Sequence, residues 1–523
     1  MAEKSVAKST AVMSAATLIS RFTGLIRTWA MAFALGNTVV TSSYQIANNM
    51  PNALYELVAG GILAAAFIPI FMMEREHAGE EGGNAFANNM LNIVIVVLGA
   101  LSLLASIFAP QVIATQTFTI SADDQVTQCS IALFRIFAFQ ILFYGIGTII
   151  TGILNANRIF FMPAVAPALN NVCCIISFFA YVPLYSISPD LALNVLGVGV
   201  TFGVAVQFIV QIPALKQIDY HYRFVINLKD PALKEALKIA LPTIIYIVGS
   251  LVALTCRNAF SLSATENGPS VLNYAWTWYQ LPYGVVAVSL SSALFTEMSE
   301  AAAQKDGKRL REHVNSGISN TLLLIVPLAG LLAVLSVPTM SLFRAGAFNS
   351  DDVTYIANIL AWWVLTLPAY SVVMFLYRTY ASLRNFMFFA LASVGLVVGQ
   401  CVLYGILCQI PGIALLGVPI ADFIYYGAFC VVLMIHLRGQ IGEYGIGAII
   451  SSAIRVVAAT VIGCIVVAFA MSLFPTGEGM LYGLVSLVCF GLLGLVVIFG
   501  LCFLFRVPQM SMLKSLVGRF IKR

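Results

Sequence analysis

Long apolar runs recur along this 523-residue chain, and their length restricts its fold more than any other feature. A helix needs about 20 apolar residues to cross the hydrocarbon of a bilayer. Divided at its polar, glycine-rich and proline-rich breaks, the sequence gives about fourteen such segments. We number them spans 1 to 14, and they lie at 11–37, 42–73, 86–112, 127–155, 161–184, 191–214, 236–262, 270–300, 315–343, 353–381, 386–409, 414–437, 447–474 and 480–505. The sequence therefore predicts an all-α polytopic membrane protein.

Basic residues in the loops test the span count independently. Lysine and arginine accumulate in cytoplasmic loops, so a correct count places them in every second loop. They alternate in that way here, and Arg344 is the exception on the opposite side. The basic side holds Lys4, Lys8, Arg75, Arg158, Lys216, Arg223, Lys229, Lys305, Arg309, Arg378, Arg384, Arg438 and Arg506. This alternation predicts a plasma-membrane protein with both termini in the cytoplasm.

The composition excludes several other function classes. Charged residues make up 9% of the chain, whereas soluble domains carry about 25%. The net charge of +5 comes mostly from the loops, so we expect no nucleic-acid partner. Ten scattered cysteines without a CxxC pair and four separated histidines predict neither a metal site nor a cofactor. The sequence shows neither an ATP-binding loop nor an HExxH motif, so we expect movement of a substrate to be driven by gradients, by the membrane potential, or by substrate supply and removal.

Three weak internal matches indicate a repeat. The matched pairs, each about 230 residues apart, are Arg158 and Arg384, Pro51 and Pro282, and Arg27 and Arg257. Together they predict two pseudo-symmetric six-helix bundles, an architecture that recurs in transporters. We predict the first bundle at 1–216, the second at 217–440, and spans 13 and 14 with a basic tail at 441–523.

Charged and polar groups inside the spans are the candidates for function, because a charge at the bilayer centre costs at least about 2.5 to 3.5 kcal/mol. Arg27 lies about 9 Å deeper than Arg21 along span 1, at 1.5 Å per residue. Gly24 between them is a predicted bend point. Guanidinium groups in a cavity can bind a phosphate-rich anion in a bidentate way. The predicted substrate-binding residues are Arg21, Arg27, Arg257, Asn52, Glu56 and Gln280.

A purely structural interpretation stays open for each charge. Arg21 can extend to the cytoplasmic interface, and Arg257 can extend to the outer one. Arg27 can pair with Glu56 on the adjacent span. Glu56 suits a counter-ion as well as a proton-coupling or ligand-contacting group. For Asp422, near the start of span 12, we expect a helix cap or a local pair.

Two prolines are predicted helix breaks at corresponding places of the repeat. Pro51 in span 2 adjoins Asn52, and Pro282 in span 8 follows Gln280. A broken membrane helix leaves backbone groups that must face a cavity or protein. A simple kink at each proline is the alternative.

Five segments, taken in order, carry a family resemblance. They are SRFTGLIR (20–27), MPNALYELVAGGILAAAFIPIF (50–71), NYAWTWYQLPYGVVAVSLSSALFTEMSEAAA (273–303), LFRAGAF (342–348) and YRTYASLRN (377–385). Nearly the whole chain resembles the MurJ (MviN) family of lipid II flippases. That family belongs to the multidrug/oligosaccharidyl-lipid/polysaccharide exporter superfamily.

The resemblance implies two bundles around a cationic cavity, with spans 13 and 14 forming a groove for a lipid tail. It implies alternating access that carries lipid II, an undecaprenyl-pyrophosphoryl disaccharide-pentapeptide, to the outer leaflet for peptidoglycan synthesis. Arg21 and Arg27 match the two important arginines of the family's first helix. The implied partners are lipid II, membrane lipids and proteins of cell-wall synthesis, and we expect a monomer.

Two positions depart from the family pattern. Many members have arginine in the second helix, where this chain has Tyr55 and Glu56. Many have an Asp-Arg pair in the eighth helix, where this chain has Trp276 and Thr277. We expect Arg257 to supply the charge missing from span 8. The alternative functions are a drug/cation antiporter or a polysaccharide-unit flippase of the same superfamily, and a scaffold would need no buried arginine.

Overall fold

The computed structural model describes residues 2–55, 62–229, 231–474, 477 and 479–510, with side chains described outside 2–18, 54–55, 62–66 and 232–240. All regular secondary structure in these ranges is helical, which confirms the predicted all-α fold. A helix satisfies its own backbone hydrogen bonds, as an apolar surrounding requires. The chain divides into two compact units, Met1–Ser270 and Val271–Arg523.

The first unit is built from ten helical segments in its described residues. They are α1 (Ala2–Leu35), α2 (Val39–Tyr55), α3 (Ile62–Ile107), α4 (Ala109–Ala114), α5 (Gln125–Phe137), α6 (Gln140–Ala156), α7 (Phe161–Tyr185), α8 (Pro189–Ile209), α9 (Ile212–Leu215) and α10 (Pro231–Ala264).

The second unit begins at Val271, inside the next helix. Its described helices are α11 (Gly268–Pro282), α12 (Val288–Ala303), α13 (Gly307–Val334), α14 (Ser336–Ser341), α15 (Ser350–Trp363), α16 (Leu367–Ser382), α17 (Phe386–Leu407), α18 (Gly417–Ile441), α19 (Ile446–Ser472) and α20 (Met480–Leu504).

Twelve helical segments in the described residues are long and apolar enough to cross a membrane. Each has a counterpart among predicted spans 3 to 14. Spans 1 and 2 correspond to α1 and to α2 with the start of α3. The polytopic prediction is confirmed, and fourteen is an approximate count.

Helix breaks separate or divide several of the predicted spans. Within α3, Gly79 has a φ of +70°, which separates the end of span 2 from span 3. Span 4 divides into α5 and α6 at residues 138–139. In span 8 the α-helix ends at Pro282, and a π-helical turn over 283–287 precedes α12. Such a turn is consistent with a proline that removes one backbone donor.

Close helix packing in both units depends on glycine. A Cβ on Gly152 of α6 would lie 2.6 Å from the Phe67 ring of α3. In the second unit, a Cβ on Gly463 of α19 would lie 2.2 Å from Ile498 of α20. Ile498 belongs to an apolar cluster that α13, α19 and α20 share. These helices approach as closely as they do because the glycines carry no side chain.

Four turns share a basic residue in the left-handed backbone conformation. The residues are Arg158, Lys305, Arg384 and Arg506, with φ of 62°, 56°, 54° and 54°. Each follows a helix in a Schellman pattern, as where Arg158 N–H donates to Asn155 O and Ile159 N–H donates to Leu154 O. Glycine is usual at this position, but a cation there stabilises the negative end of the helix dipole.

The predicted repeat stays a prediction. The matched turns at Arg158 and Arg384 have the same hydrogen-bond pattern. Lys305 and Arg506 adopt it as well, so the pattern is not particular to the repeat. The compact units divide at Ser270, whereas the predicted bundles divide at residue 216, because α10 packs with the first unit.

Candidate functional site

The two arginines of α1 differ in exposure. Arg21 is exposed and Arg27 is half-buried. Gly24 lies between them in a helix that is continuous from Ala2 to Leu35. A Cβ on Gly24 would lie 3.7 Å from Asn171 Nδ2 of α7, an ordinary van der Waals distance.

Asn171 fixes α7 against α1 at the level between these arginines. Its Nδ2 donates to the Ser20 carbonyl at 3.2 Å and to Thr23 Oγ1 at 3.1 Å. Both acceptors lie on the α1 turn that precedes Gly24. The contact between α1 and α7 therefore fixes the α1 turn that contains Arg21, and Arg27 lies one turn beyond it.

Arg27 lies where α1, α2 and α7 meet. Its guanidinium is close enough to the Cys174 thiol of α7 and to the Tyr44 hydroxyl of α2 to interact electrostatically with both. Cys174 is 2% exposed and Tyr44 is 3% exposed. A cation against such apolar surroundings calls for an anion, either a side chain or a ligand. Glu56, the predicted side-chain partner, lies outside the described residues.

Asn52 lines a cleft of about 330 Å³ between α2, α6 and α8. Its polar lining consists of neutral amides and hydroxyls, including Thr151 and Gln211, which are hydrogen-bonded to each other at 2.9 Å. Neither Arg21 nor Arg27 belongs to this lining. The structure thus associates Asn52 with an uncharged hydrogen-bonding surface, where the sequence predicted a common site with the arginines.

Arg257 lies in a part of α10 that is attached to the segment after α4. Gln116 Nε2 donates to Thr255 Oγ1 at 2.6 Å, and Asn258 Nδ2 donates to Gln116 Oε1 at 2.8 Å. Thr119 Oγ1 also donates to the Ala259 carbonyl. Arg257 itself is half-buried. Hydrogen bonds on both sides of Arg257 therefore fix its backbone in the first unit.

Arg27 and Arg257 lie at similar distances from the ends of their helices. The ends of α1 and α10 are joined through their following turns, because Asn267 Nδ2 donates to the Asn37 carbonyl at 2.9 Å. At 1.5 Å per residue, Arg27 is about 12 Å from the end of its helix and Arg257 about 10 Å. The two matched cations are thus carried by neighbouring helix ends of one unit.

The two prolines have different local structures. Pro51 lies inside α2, which stays helical to Tyr55, so the predicted break is not at Pro51 itself. A proline costs a membrane helix one hydrogen bond, and neighbouring groups can compensate for it. Pro282 ends the α-helical part of α11, and Gln280 before it faces the Tyr370 hydroxyl in the second unit.

Trp276, one of the two departures from the family pattern in span 8, belongs to an aromatic cluster. Trp276 stacks on Tyr279, with ring centroids 4.9 Å apart, and lies 5.4 Å from Trp363 of α15. Thr277 donates to the Asn273 carbonyl of its own helix at 3.0 Å. Rings therefore fill the surroundings of the position where many family members have a charge.

Asp422 is a buried acceptor that joins three helices of the second unit. It is 3% exposed and lies on α18. Its carboxylate accepts from Trp363 Nε1 of α15 at 2.8 Å and from Gln400 Nε2 of α17 at 2.8 Å. The Tyr404 hydroxyl of α17 donates to it as well. The expected cap or local pair is wrong, because these partners are on other helices.

The sequence contains one signal for this hydrogen-bonded group. Gln400 and Tyr404 are four residues apart in an otherwise apolar span, so they share a helix face. A polar pair on one face of a span, with an aspartate in the next span, is the sequence pattern expected of a buried hydrogen-bond network. Its third member, Trp363, has no such marker.

Comparisons with known proteins are consistent over most of the chain. The family model "Lipid II flippase MurJ" matches residues 31–489. A curated protein of Burkholderia cenocepacia, "Lipid II flippase MurJ", is 28% identical over 356 residues, 67% of this chain and 68% of that protein.

Two solved structures share the fold. "Lipid II flippase MurJ, inward closed conformation" has a TM-score of 0.76 at 23% identity, covering 96% of this chain and 99% of that one. An inward-facing multidrug resistance MATE transporter of the MOP superfamily has a TM-score of 0.64 at 13% identity, covering 80% of this chain and 98% of that one.

Proposed function

The chain belongs to the MurJ family of lipid II flippases, and from this membership we propose that it moves lipid II from the cytoplasmic to the outer leaflet by alternating access. The match of the family model over residues 31–489 carries the proposal, because it extends over most of each unit. The many apolar helices make the chain a multi-pass membrane protein. The lipid II that it delivers to the outer leaflet supplies cell-wall synthesis.

The arginines are the proposed pyrophosphate contacts. Arg27 is half-buried among apolar neighbours, where an anionic ligand offsets the desolvation of its charge. Arg257, at a similar distance from the end of its helix, supplies a second guanidinium, and the exposed Arg21 receives the headgroup first. Each can bind a phosphate through two parallel N–H donors.

The uncharged candidates suit the neutral parts of the headgroup. The amide and hydroxyl lining beside Asn52 offers donors and acceptors of the kind that sugars and peptides require. Gln280 provides a similar amide in the second unit, and Glu56 is proposed as the counter-ion of the arginines. Gly24, Pro51 and Pro282 are the proposed points of helix bending.

The remaining parts of the proposal concern chemistry and orientation. No bond of lipid II needs to break during transfer, so the protein acts as a non-enzymatic transporter. The basic loops support cytoplasmic termini, and a monomer is sufficient for the proposed path. Proteins of cell-wall synthesis remain proposed partners.

Depletion of the native protein with complementation tests the function. Arg27→Ala should abolish the outer-leaflet exposure of lipid II, and Arg27→Lys should restore it in part, because lysine retains charge but not the bidentate fork. Arg135→Ala is the matched control, since Arg135 is exposed on α5. Membrane levels of each variant are measured alongside.

Two results would contradict the proposal. Full rescue by Arg27→Ala would exclude Arg27 as a pyrophosphate contact. Unchanged outer lipid II during depletion, with no second flippase active, would exclude the flippase function itself. The antiporter alternative is not favoured, because a cation exporter calls for acidic cavity residues, whereas the lining of the Asn52 cleft is neutral.

A further inference from the structure

An extended segment between α9 and α10, residues 220–229, lies along one face of α3, and we call it the strap. Asparagine side chains of α3 hold it by its backbone. Asn88 donates to the His221 carbonyl at 3.1 Å and accepts from Arg223 N–H at 3.0 Å. Asn92 donates to the carbonyls of Arg223 at 2.9 Å and Val225 at 3.1 Å. The asparagine side chains thus make the hydrogen bonds to the backbone of the strap that a neighbouring β-strand would otherwise make.

A third asparagine completes this row. Asn89 accepts from the Asn227 N–H at 2.7 Å and donates to the Asn227 carbonyl at 3.1 Å. Asn88, Asn89 and Asn92 are 2%, 3% and 0% exposed, so the strap covers them. A buried amide without such partners would be costly, which makes the attachment specific.

Two tyrosines of the strap bond to the same asparagines. Tyr220 donates to Asn88 Oδ1 at 2.8 Å, and Tyr222 donates to Asn92 Oδ1 at 2.6 Å. Burial, with Tyr222 beside it, raises the pKa of Tyr220. Its phenol therefore remains a donor at any physiological pH, and the strap stays attached.

The outer side of the strap is amphipathic with a period of two. Successive side chains of an extended chain point to opposite faces. One face carries Phe224, Ile226 and Leu228, exposed by 69%, 42% and 66%, together with Tyr222, which is 54% exposed although its hydroxyl reaches back to Asn92. The alternate residues are mostly polar or basic and include Arg223 and Lys229. Within the described chain, the backbone groups of Phe224, Ile226 and Leu228 have no protein partner.

The position of the strap on α3 coincides with a change of surroundings. One turn beyond Asn92, Val96 and Val97 are 50% and 46% exposed, and exposed leucines follow. This is the surface of a lipid-facing helix. Before Asn88, the exposed residues of α3 include Glu76, Glu80 and Glu81. The strap therefore lies between an aqueous end and an apolar band, only about 6 Å from the band at 1.5 Å per residue.

We propose that the strap is an interfacial element that binds anionic phospholipid. Its aromatic and aliphatic face enters the boundary between headgroups and acyl chains, while Arg223 and Lys229 contact lipid phosphates. Aromatic rings and basic side chains favour this layer of a bilayer. An extended peptide could pair with the open backbone edge, but it would leave the apolar face exposed beside lipid. The proposal concerns a lipid site apart from lipid II and does not depend on transport.

Photo-crosslinking of the full chain tests the proposal. A benzophenone derivative of phenylalanine is incorporated at position 224, or at position 227 as the control, since the Asn227 side chain alternates with Phe224 and accepts from the Lys229 N–H at 3.1 Å. The protein is placed in nanodiscs of phosphatidylcholine mixed with phosphatidylglycerol. Mass spectrometry should find phospholipid adducts from position 224 at several times the yield from position 227.

The basic residues set the expected lipid preference. Removing a basic charge near a membrane surface weakens its attraction to anionic lipid roughly fivefold. The double variant Arg223→Gln/Lys229→Gln should therefore lose most of the phosphatidylglycerol excess among the adducts and keep the adducts themselves. Asn89→Leu should release the strap locally and lower the adduct yield, while the apparent Tm reports whether the remaining fold is intact.

Three outcomes would overturn the proposal. Adducts to protein alone would indicate a peptide partner at the open edge. Equal lipid yields from positions 224 and 227 would exclude a membrane-facing side. A phosphatidylglycerol excess that survives the double variant would exclude Arg223 and Lys229 as the phosphate contacts.

Discussion

Trp363 of α15 donates its indole N–H to Asp422 of α18 across 2.8 Å. Asp422 also accepts from Gln400 and Tyr404 of α17, so one carboxylate joins three helices. Trp363 is fully buried and lies beside Trp276 and Tyr279 in the aromatic cluster. The carboxylate therefore fixes the position of the rings as well as of the helices.

Asp422→Ala should destabilise the second unit. It leaves three buried donors without their acceptor, at about 1–3 kcal/mol for each. Asp422→Asn should cost less, because its carbonyl oxygen still accepts. The apparent Tm in detergent at a fixed heating rate measures the order, wild type above Asn above Ala. Asp351→Ala, at an exposed aspartate of α15, should leave the Tm nearly unchanged. Equal Tm values for all four proteins would contradict this role.

Arg257→Ala should reduce lipid II exposure in the complementation assay, and Arg257→Lys should reduce it less. The expectation follows from the similar distances of Arg257 and Arg27 from the ends of their helices, which lie in one unit. If both contact the same pyrophosphate, the double alanine variant should lose less than the sum of the single losses in free energy. Additive losses would mean that Arg257 serves another purpose, such as interfacial anchoring.

Gly24→Ala distinguishes a bend point from a simple spacer. The new Cβ would lie 3.7 Å from its nearest neighbour, so the substitution fits the packing of α1 on α7. Alanine also favours the helix by about 1 kcal/mol. If α1 must bend during transport, this variant should reach normal membrane levels and complement poorly. Complementation at the wild-type rate would remove Gly24 from the proposed hinges.

Gly463→Ala should separate α19 from α20. Its Cβ would lie 2.2 Å from Ile498 Cγ1, inside the apolar cluster of the second unit. We expect a loss of about 1–3 kcal/mol, seen as a lower apparent Tm. Adding Ile498→Ala should recover part of it by making room for the methyl group. Gly500→Ala is the matched control, because nothing lies within 4 Å of that Cβ. A similar Tm for the two single variants would refute the close approach.

The spans could be predicted because the thickness of the hydrocarbon layer sets the length of each apolar run. The spacing of Arg21 and Arg27 along one helix predicts that they lie at different depths, and this stays a prediction. The bond from Trp363 to Asp422 could not be predicted, because Trp363 is 59 residues away in another span. The attachment of the strap to α3 could not be predicted for the same reason. Asn88, Asn89 and Asn92 stand close together in the sequence, but the residues that they bond lie 131 to 138 residues further on. Hydrogen bonds across such distances leave no local periodicity.

The left-handed turns at Arg158, Lys305, Arg384 and Arg506 have a consequence for biogenesis. In each, the residue that reverses the chain is also one of the loop charges that the positive-inside pattern predicts to orient the preceding segment during insertion. Glycine would suit the backbone better and would erase the orientation signal. A glycine introduced there to stabilise the folded protein would therefore weaken its delivery in the correct topology, so yield and thermal stability should move in opposite directions.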